Sequence, residues 1–378
     1  MSDHPSSPHV FDEDASPAVL EAAALDKAGR HRDAIAVLSR AAMAGDLVAK
    51  RKVGLRILLG DRAPCLGEQG VRLIAEAGMQ GDAAAAELCA VLVGAGIYRR
   101  QNWNEALDWL QLAAELGSSR ARGALGVLCS DPALAAEAER GEVRTDHWRR
   151  LRANVDMATL LFADVGRTLN VDPPIRVYER FVDARVCKWL VTRARGRLSP
   201  ALVYNPERRA LEKRPERTNT SAGFTLEDAD LVQIVLQARI AAAIGVPFRQ
   251  FESPFVLHYA PGETFHDHYD FVDPDTPDYD QELARNGQRI ATFLIYLNED
   301  YEGGSTDFPR LGLSHKGKAG EGFCFINTLP DGTADLRTLH AGRPPRTGEK
   351  WVFTQFIRDR AVVPGTSTET TAGFPTVI

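Results

Sequence analysis

The chain has 378 residues, 51 acidic against 45 basic side chains, a formal net charge of −6, and 44% hydrophobic and 25% charged residues. That is length enough for two cores and the composition of an ordinary globular protein. It lacks the basic field that nucleic acid or an anionic membrane would call for, and no apolar run approaches the roughly 18 residues of a membrane span.

Residues 1–17 are polar and acidic, with neither the basic nor the apolar part of a secretory signal, and read as a disordered lead-in. Residues 18–130 are rich in alanine and leucine and repeat against themselves in steps of 36 residues. "AMAG", "GMQG" and "AELG" end at Gly45, Gly81 and Gly117, and the same offset relates Ala49, Ala85 and Ala121, and Leu38, Ile74 and Leu110. Small residues at matching places let paired helices approach closely, and each glycine can end a helix in a left-handed turn. A period in the mid-thirties marks a helix–turn–helix solenoid. The stretch "NEALDWLQLAAELGSSRARGALG" (104–126) resembles the Sel-like branch of the tetratricopeptide repeats, which implies a protein-interaction array or a brace for its neighbour. The five cysteines (Cys65, Cys89, Cys129, Cys187, Cys324) are scattered without a CxxC pair, so neither a zinc site nor a disulfide framework is expected, and a reducing cytoplasm is the expected location.

A helical connector is expected over 131–168. From "DPPIRVYERF" (172–181) onward the texture changes to short runs of aromatic and β-branched residues separated by Gly, Pro and Asp. "SPFVLHYAPGE", "RIATFLIYLNE", "GEGFCFINT", "TLHAG" and "KWVFTQFIRD" read as strands, with helices over 182–196 and 226–244. Short strands at this spacing favour a sandwich or jelly roll. The Thr/Gly/Pro-rich end, 363–378, reads as a flexible tail.

The chemistry concentrates in "FHDHYDF" (265–271). Side chains two apart on a strand share a face, so His268 and Asp270 can present an imidazole and a carboxylate together. A redox-active non-haem iron takes two histidines and one carboxylate on one face of the metal. The third ligand must come from another strand, and His340 in "TLHAGRPPRTGEKW" is the candidate. Ten residues on, Lys350 shares a strand face with Val352, Thr354 and Phe356; if that face points inward, its ammonium needs an anion. His266 fits the metal only in a shifted register that loses the carboxylate, and Asp267 faces the other way. His31-Arg32-Asp33 repeats the spacing on a helix, where such residues diverge. His258 reads as a packed histidine and His315 as a loop residue, while the Trp351 and Phe353 face reads as core.

With these residues in place, 170–360 resembles the catalytic domain of the prolyl 4-hydroxylase branch of the Fe(II)/2-oxoglutarate dioxygenases. The resemblance is carried by "RTNTSAGF", "LHYAPGETFHDHYDF", "NGQRIATFLIYLNEDYEGGSTDFP", "GEGFCFINTLPDG" and "LHAGRPPRTGEKW", in that order. It implies His268, Asp270 and His340 as iron ligands, Lys350 on the distal carboxylate of 2-oxoglutarate, and Tyr259 as a hydrogen-bond donor to that cosubstrate. It also implies Arg289 as a substrate contact and Gly303, Gly304 and Thr306 as a hairpin at the barrel rim. The cofactors implied are Fe(II), 2-oxoglutarate and O2, with ascorbate to restore oxidised iron, and the cosubstrate would leave as succinate and CO2.

The fold expected is therefore an α+β multidomain chain: an all-α repeat solenoid (18–130), the connector (131–168), and a double-stranded β-helix, or jelly roll, with flanking helices (169–362). Departures from the family pattern fall on the substrate side: Phe265 in place of a tyrosine, and Phe356 with Arg358 in place of a Trp-x-His pattern. The leading expectation is a hydroxylase of a protein or peptide residue, prolyl 4-hydroxylase-like, with the repeats helping to recruit the substrate. Two alternatives stay open: a hydroxylase of a free amino acid or metabolite, and a repeat-based binding protein whose barrel is vestigial.

Overall fold

A computed structural model describes residues 16–137, 140, 146–205, 210–274 and 279–362. The expected lead-in, apart from its last two residues, and the expected tail lie outside the described residues. The chain forms two compact units: one of 16–161 with Leu226–Ala238, the other of Phe162–Thr225 with Arg239–Val362. No helix among the described residues is long and apolar enough to cross a membrane.

The first unit is helical. Its helices are α1 (Pro17–Lys27), α2 (His31–Met43), α3 (Leu47–Leu59), α4 (Gly67–Met79), α5 (Ala83–Ala95), α6 (Trp103–Glu115) and α7 (Ser119–Leu128). α2, α4 and α6 start at 36-residue intervals, and so do α3, α5 and α7. The turns between them show why the repeat holds. Gly45, Gly81 and Gly117 adopt φ of 97°, 113° and 109°, where a Cβ would be strained. The next residue in each repeat (Asp46, Asp82, Ser118) then caps the following helix, its side chain accepting from the backbone N–H of Ala49, Ala85 or Ala121. Leu38, Ile74 and Leu110 are buried at equivalent places. Helices α3 and α4 touch backbone to backbone: a Cβ on Gly70 would lie 2.5 Å from the Gly54 carbonyl oxygen. Between repeats, Arg51 donates to the α5 cap Asp82 at 3.1 Å in a buried ion pair. Described parts of the connector form three short helices, Pro132–Glu137, His147–Ala153 and Met157–Leu161.

The second unit is built on an eight-stranded antiparallel sheet. Its order is Arg167–Asn170, Ile175–Tyr178, Gly322–Ile326, Arg289–Tyr296, Lys350–Arg358, Phe255–Tyr259, Thr220–Gly223 and Ser199–Pro200. A four-stranded sheet faces it, in the order Leu313–His315, Thr306–Phe308, His340–Gly342, Phe265–His268. One core joins the two, with Val177, Leu257, Leu294, Tyr296, Phe323, Phe325 and Val352 from the larger sheet and Phe308 from the smaller. This is the expected jelly roll. Register sets the faces: Lys350 pairs with Tyr259, and Val352 with Leu257 and Tyr296, so these side chains share the inner face with the core. Burying a side chain such as Val352 or Leu257 stabilises by roughly 1.5–3 kcal/mol, which makes the inward phase hard to reverse. The expected helices occur as Ala184–Arg195 and Leu231–Ile244.

Candidate metal centre

His268 and His340 lie directly opposite each other on neighbouring strands of the smaller sheet. Asp270 follows just beyond the end of its strand, in a bend rather than on the strand itself. The three residues each offer one donor atom, all within 4.8 Å of one another, and they form the triad of this kind found among the described residues. His340 Nε2 is 3.4 Å from Asp270 Oδ2, and His268 Nε2 is 3.6 Å from Asp270 Oδ1. Cis donors at about 2.1 Å from an octahedral ion stand about 3 Å apart, so the spacing is close to that of a loaded site.

The tautomers are fixed by backbone. His268 Nδ1 lies 2.7 Å from the His266 carbonyl and His340 Nδ1 lies 3.0 Å from the Thr338 carbonyl. A carbonyl only accepts, so each neutral ring carries its proton on Nδ1 and turns the Nε2 lone pair toward the triad. Burial, with the neighbouring His268 ring, pushes the His340 pKa down to about 4, which keeps this imidazole neutral. For Asp270 burial acts upward, but positive charge on the His340 and His268 rings when they are protonated, and the hydrogen bond from the Thr292 hydroxyl, act downward and hold the carboxyl below its usual range. Two imidazoles and one carboxylate fit Fe(II).

Lys350 lies on the larger sheet with 1% of its surface exposed. Its ammonium sits 5.2 Å from the Tyr259 ring and 5.7 Å from the Tyr296 ring, and it has no hydrogen bond or ion pair among the described residues. Burial pushes its pKa down to about 7, with Asp307 opposing. A buried ammonium without an ion pair among the described residues is a candidate receptor for an anion. Its surroundings close on small residues. A Cβ on Gly342 would lie 2.8 Å from the Tyr259 hydroxyl, and one on Gly304 would lie 2.7 Å from the Tyr301 ring and 3.4 Å from Lys350 Cδ.

Several residues fall elsewhere than strand alternation predicts. A β-bulge pairs His340 with His268 but Gly342 with Phe265, putting an extra residue into the 265–268 strand. Phe265 therefore stacks on the His268 ring, with centroids 3.4 Å apart and planes 13° apart, under the Arg217 guanidinium at 4.3 Å. His266 and Asp267 are exposed, Asp267 3.3 Å from Arg343. Arg289 binds Glu252 at 2.6 and 2.9 Å and lies over Phe356 at 4.0 Å. Arg358, expected toward substrate, is instead buried and donates to Glu252, Glu282 and the Gly287 carbonyl. His315, expected in a loop, sits on a three-residue strand, hydrogen-bonded to Glu321 at 2.6 Å and stacked on Phe323. His258 packs on Trp351.

Residues 254–358 match the family model described as "2OG-Fe(II) oxygenase superfamily". The chain is 31% identical over 212 residues to "Probable prolyl 4-hydroxylase 9" of Arabidopsis thaliana, a match spanning 51% of this chain and 72% of that protein. It is also similar to a crystal structure of viral collagen prolyl hydroxylase from Paramecium Bursaria Chlorella virus-1, at 26% identity and a TM-score of 0.38, covering 50% of this chain and 96% of that one. A Sel1 repeat protein from Oxalobacter formigenes is similar at 21% identity and a TM-score of 0.25, covering 34% and 52%.

Proposed function

Because this chain belongs to the prolyl 4-hydroxylase family of 2OG-Fe(II) oxygenases, we propose that it hydroxylates a prolyl residue of a protein or peptide. His268, Asp270 and His340 hold Fe(II), which with 2-oxoglutarate and O2 supplies the oxidising equivalent as the cosubstrate becomes succinate and CO2. The protein's share is placement. Lys350 receives the distal carboxylate of 2-oxoglutarate, and the Tyr259 hydroxyl, held over Gly342, donates to the same molecule. Arg289, braced by Glu252, stands near the backbone of Asp270, its Nη1 3.5 Å from that carbonyl, and with Phe265 forms the side from which a peptide is met. Ascorbate serves to restore oxidised metal, and the repeat unit recruits the substrate protein. Scattered free thiols suit a reducing cytoplasm.

The observation that carries this reading is the convergence of two Nε2 lone pairs and one carboxylate in a unit that also buries an ammonium with no ion pair among the described residues. The test is succinate release and peptide mass under Fe(II) and 2-oxoglutarate, with proline-containing peptides and free proline as separate arms. A gain of about 16 Da on a peptide prolyl residue, abolished by His268→Ala, is the expected result. Hydroxylation of free proline alone, or turnover that survives His268→Ala, overturns it.

A further inference from the structure

Asp270 is not left to settle its own orientation. The Thr292 hydroxyl donates to Asp270 Oδ2 at 2.8 Å, and Asn327 Nδ2 donates to Thr292 Oγ1 at 3.0 Å. Thr292 and Asn327 both have 0% of their surface exposed, so no water competes for either bond. The direction of this chain of hydrogen bonds is forced. An ionised carboxylate can only accept, so the single hydroxyl proton of Thr292 must go to Asp270. The threonine oxygen is then free to accept, and only the amide nitrogen of Asn327 can supply that proton. The asparagine is held at its backbone, its N–H on the Ile290 carbonyl at 2.8 Å and its own carbonyl accepting from Asp335 N–H at 3.0 Å. Its Oδ1 is buried without a partner. Leaving an acceptor buried and unpaired is unfavourable by about 1–3 kcal/mol. The amide is therefore kept where it is by the donor it provides.

We propose that Thr292, oriented by Asn327, is a positioning residue for the metal: it ties one carboxylate oxygen of Asp270 so that the group coordinates through the other. This rests on the reading of His268, Asp270 and His340 as the ligand set. Thr292 is not one of the three donors of the triad and acts through Asp270. Thr292 projects from the larger sheet, on the face shared with Leu294 and Tyr296, whereas both histidines belong to the smaller sheet. The hydroxyl thus carries the position of the carboxylate across the barrel. A carboxylate released from this bond can turn and take the metal through both oxygens, using a position that the cosubstrate needs.

The experiment is anaerobic titration of the full chain with Mn(II) and Co(II), without 2-oxoglutarate, reading the dissociation constant and the Co(II) visible spectrum. Thr292→Val, nearly isosteric, is expected to weaken binding about tenfold to a hundredfold, as for other groups that orient ligands, and to shift the spectrum. Thr292→Ser restores the hydroxyl and is expected to bind close to wild type. Asn327→Ala removes the donor that orients Thr292 but leaves the Thr292 hydroxyl to reach Asp270, so it is expected to weaken metal binding by less than Thr292→Val does. Wild-type affinity in Thr292→Val, or no recovery of affinity in Thr292→Ser, overturns the positioning role. His268→Ala separates the two levels: if it binds metal as wild type does, the ligand set itself is wrong and the role of Thr292 falls with it.

Discussion

As the proposed receptor of the cosubstrate carboxylate, the Lys350 ammonium is expected to tie 2-oxoglutarate binding to pH. Buried between Tyr259 and Tyr296, the group has its pKa lowered from an ordinary 10.5 to about 7, burial acting down and Asp307 weakly up. Between these two values the unfolded chain holds a proton that the folded chain does not. Stability of the cosubstrate-free protein therefore rises as pH climbs through that window, and the full penalty of the buried charge is present below about pH 7. A carboxylate placed beside the amine reverses the preference, since it binds only the charged form well. Binding of 2-oxoglutarate must then take up a proton above pH 7. At pH 8, one unit above the apparent pKa, about 0.9 proton enters per ligand, and each further unit weakens affinity about tenfold.

Calorimetry on the Mn(II)-loaded protein under argon, in two buffers of different ionisation enthalpy, reads the proton count directly. Lys350→Met is expected to bind 2-oxoglutarate roughly 2–5 kcal/mol more weakly, with no proton uptake and no slope with pH. The same substitution should raise the thermal midpoint of the metal-free protein at pH 6, where the wild type buries a charge. Equal wild-type affinity at pH 6.5 and pH 8.5 with no proton taken up would refute the assignment of Lys350 as the carboxylate receptor.

Two glycines offer independent tests of packing. Gly342→Ala places a Cβ 2.8 Å from the Tyr259 hydroxyl, so under the proposed function it is expected to raise the KM for 2-oxoglutarate while leaving metal affinity within about threefold of wild type, Tyr259 not being one of the triad donors. Gly70→Ala drives a methyl to 2.5 Å from the Gly54 carbonyl, where backbone must move; chemical denaturation should show the helical unit destabilised by roughly 1–3 kcal/mol.

The parts of this protein that were legible in its sequence are those governed by short periods. The 36-residue repeat could be read because each turn needs the same three things in order: a residue free to take positive φ, a capping side chain, and a small residue beneath it, as in Gly81, Asp82 and Ala85. Lys350 was legible because a nine-residue strand keeps its phase, so one inward residue places the rest. The position of Phe265 was not legible, because the bulge is a property of the pairing with 340–342 and not of either strand alone. His315 was missed for a related reason: three residues are too few to show alternation. Thr292 and Asn327 resemble ordinary β-sheet residues. The one available sign was a polar side chain in the inward phase of "RIATFLIY", which a buried strand tolerates only with a partner.

The surroundings of the two histidines also say from which side the site is reached. The His340 ring is packed by Phe308 at 5.4 Å and Phe325 at 4.8 Å, both core residues, and 6% of its side chain is exposed. His268 lies between the Phe265 ring at 3.4 Å and the His340 ring at 4.2 Å, and keeps 18% exposed. The triad is thus closed toward the core and opens past His268, where Phe265 lies under Arg217. Arg217 is itself held at the Leu202 carbonyl and Asn219, at 3.1 and 3.4 Å. Phe265 is one of the residues at which this chain departs from the pattern of peptidyl-proline enzymes, whereas the ligands and Lys350 do not depart. Arg358, another departure, is occupied by Glu252 and Glu282 and has little left to offer a substrate. The Phe265–Arg217 stack thus forms the more exposed edge of the triad, and under the proposed function it is where the substrate is expected to be met. The same stack sets the plane of the His268 ring, so Phe265→Ala is expected to change Co(II) affinity as well as peptide turnover, and unchanged metal affinity in that variant would separate the two.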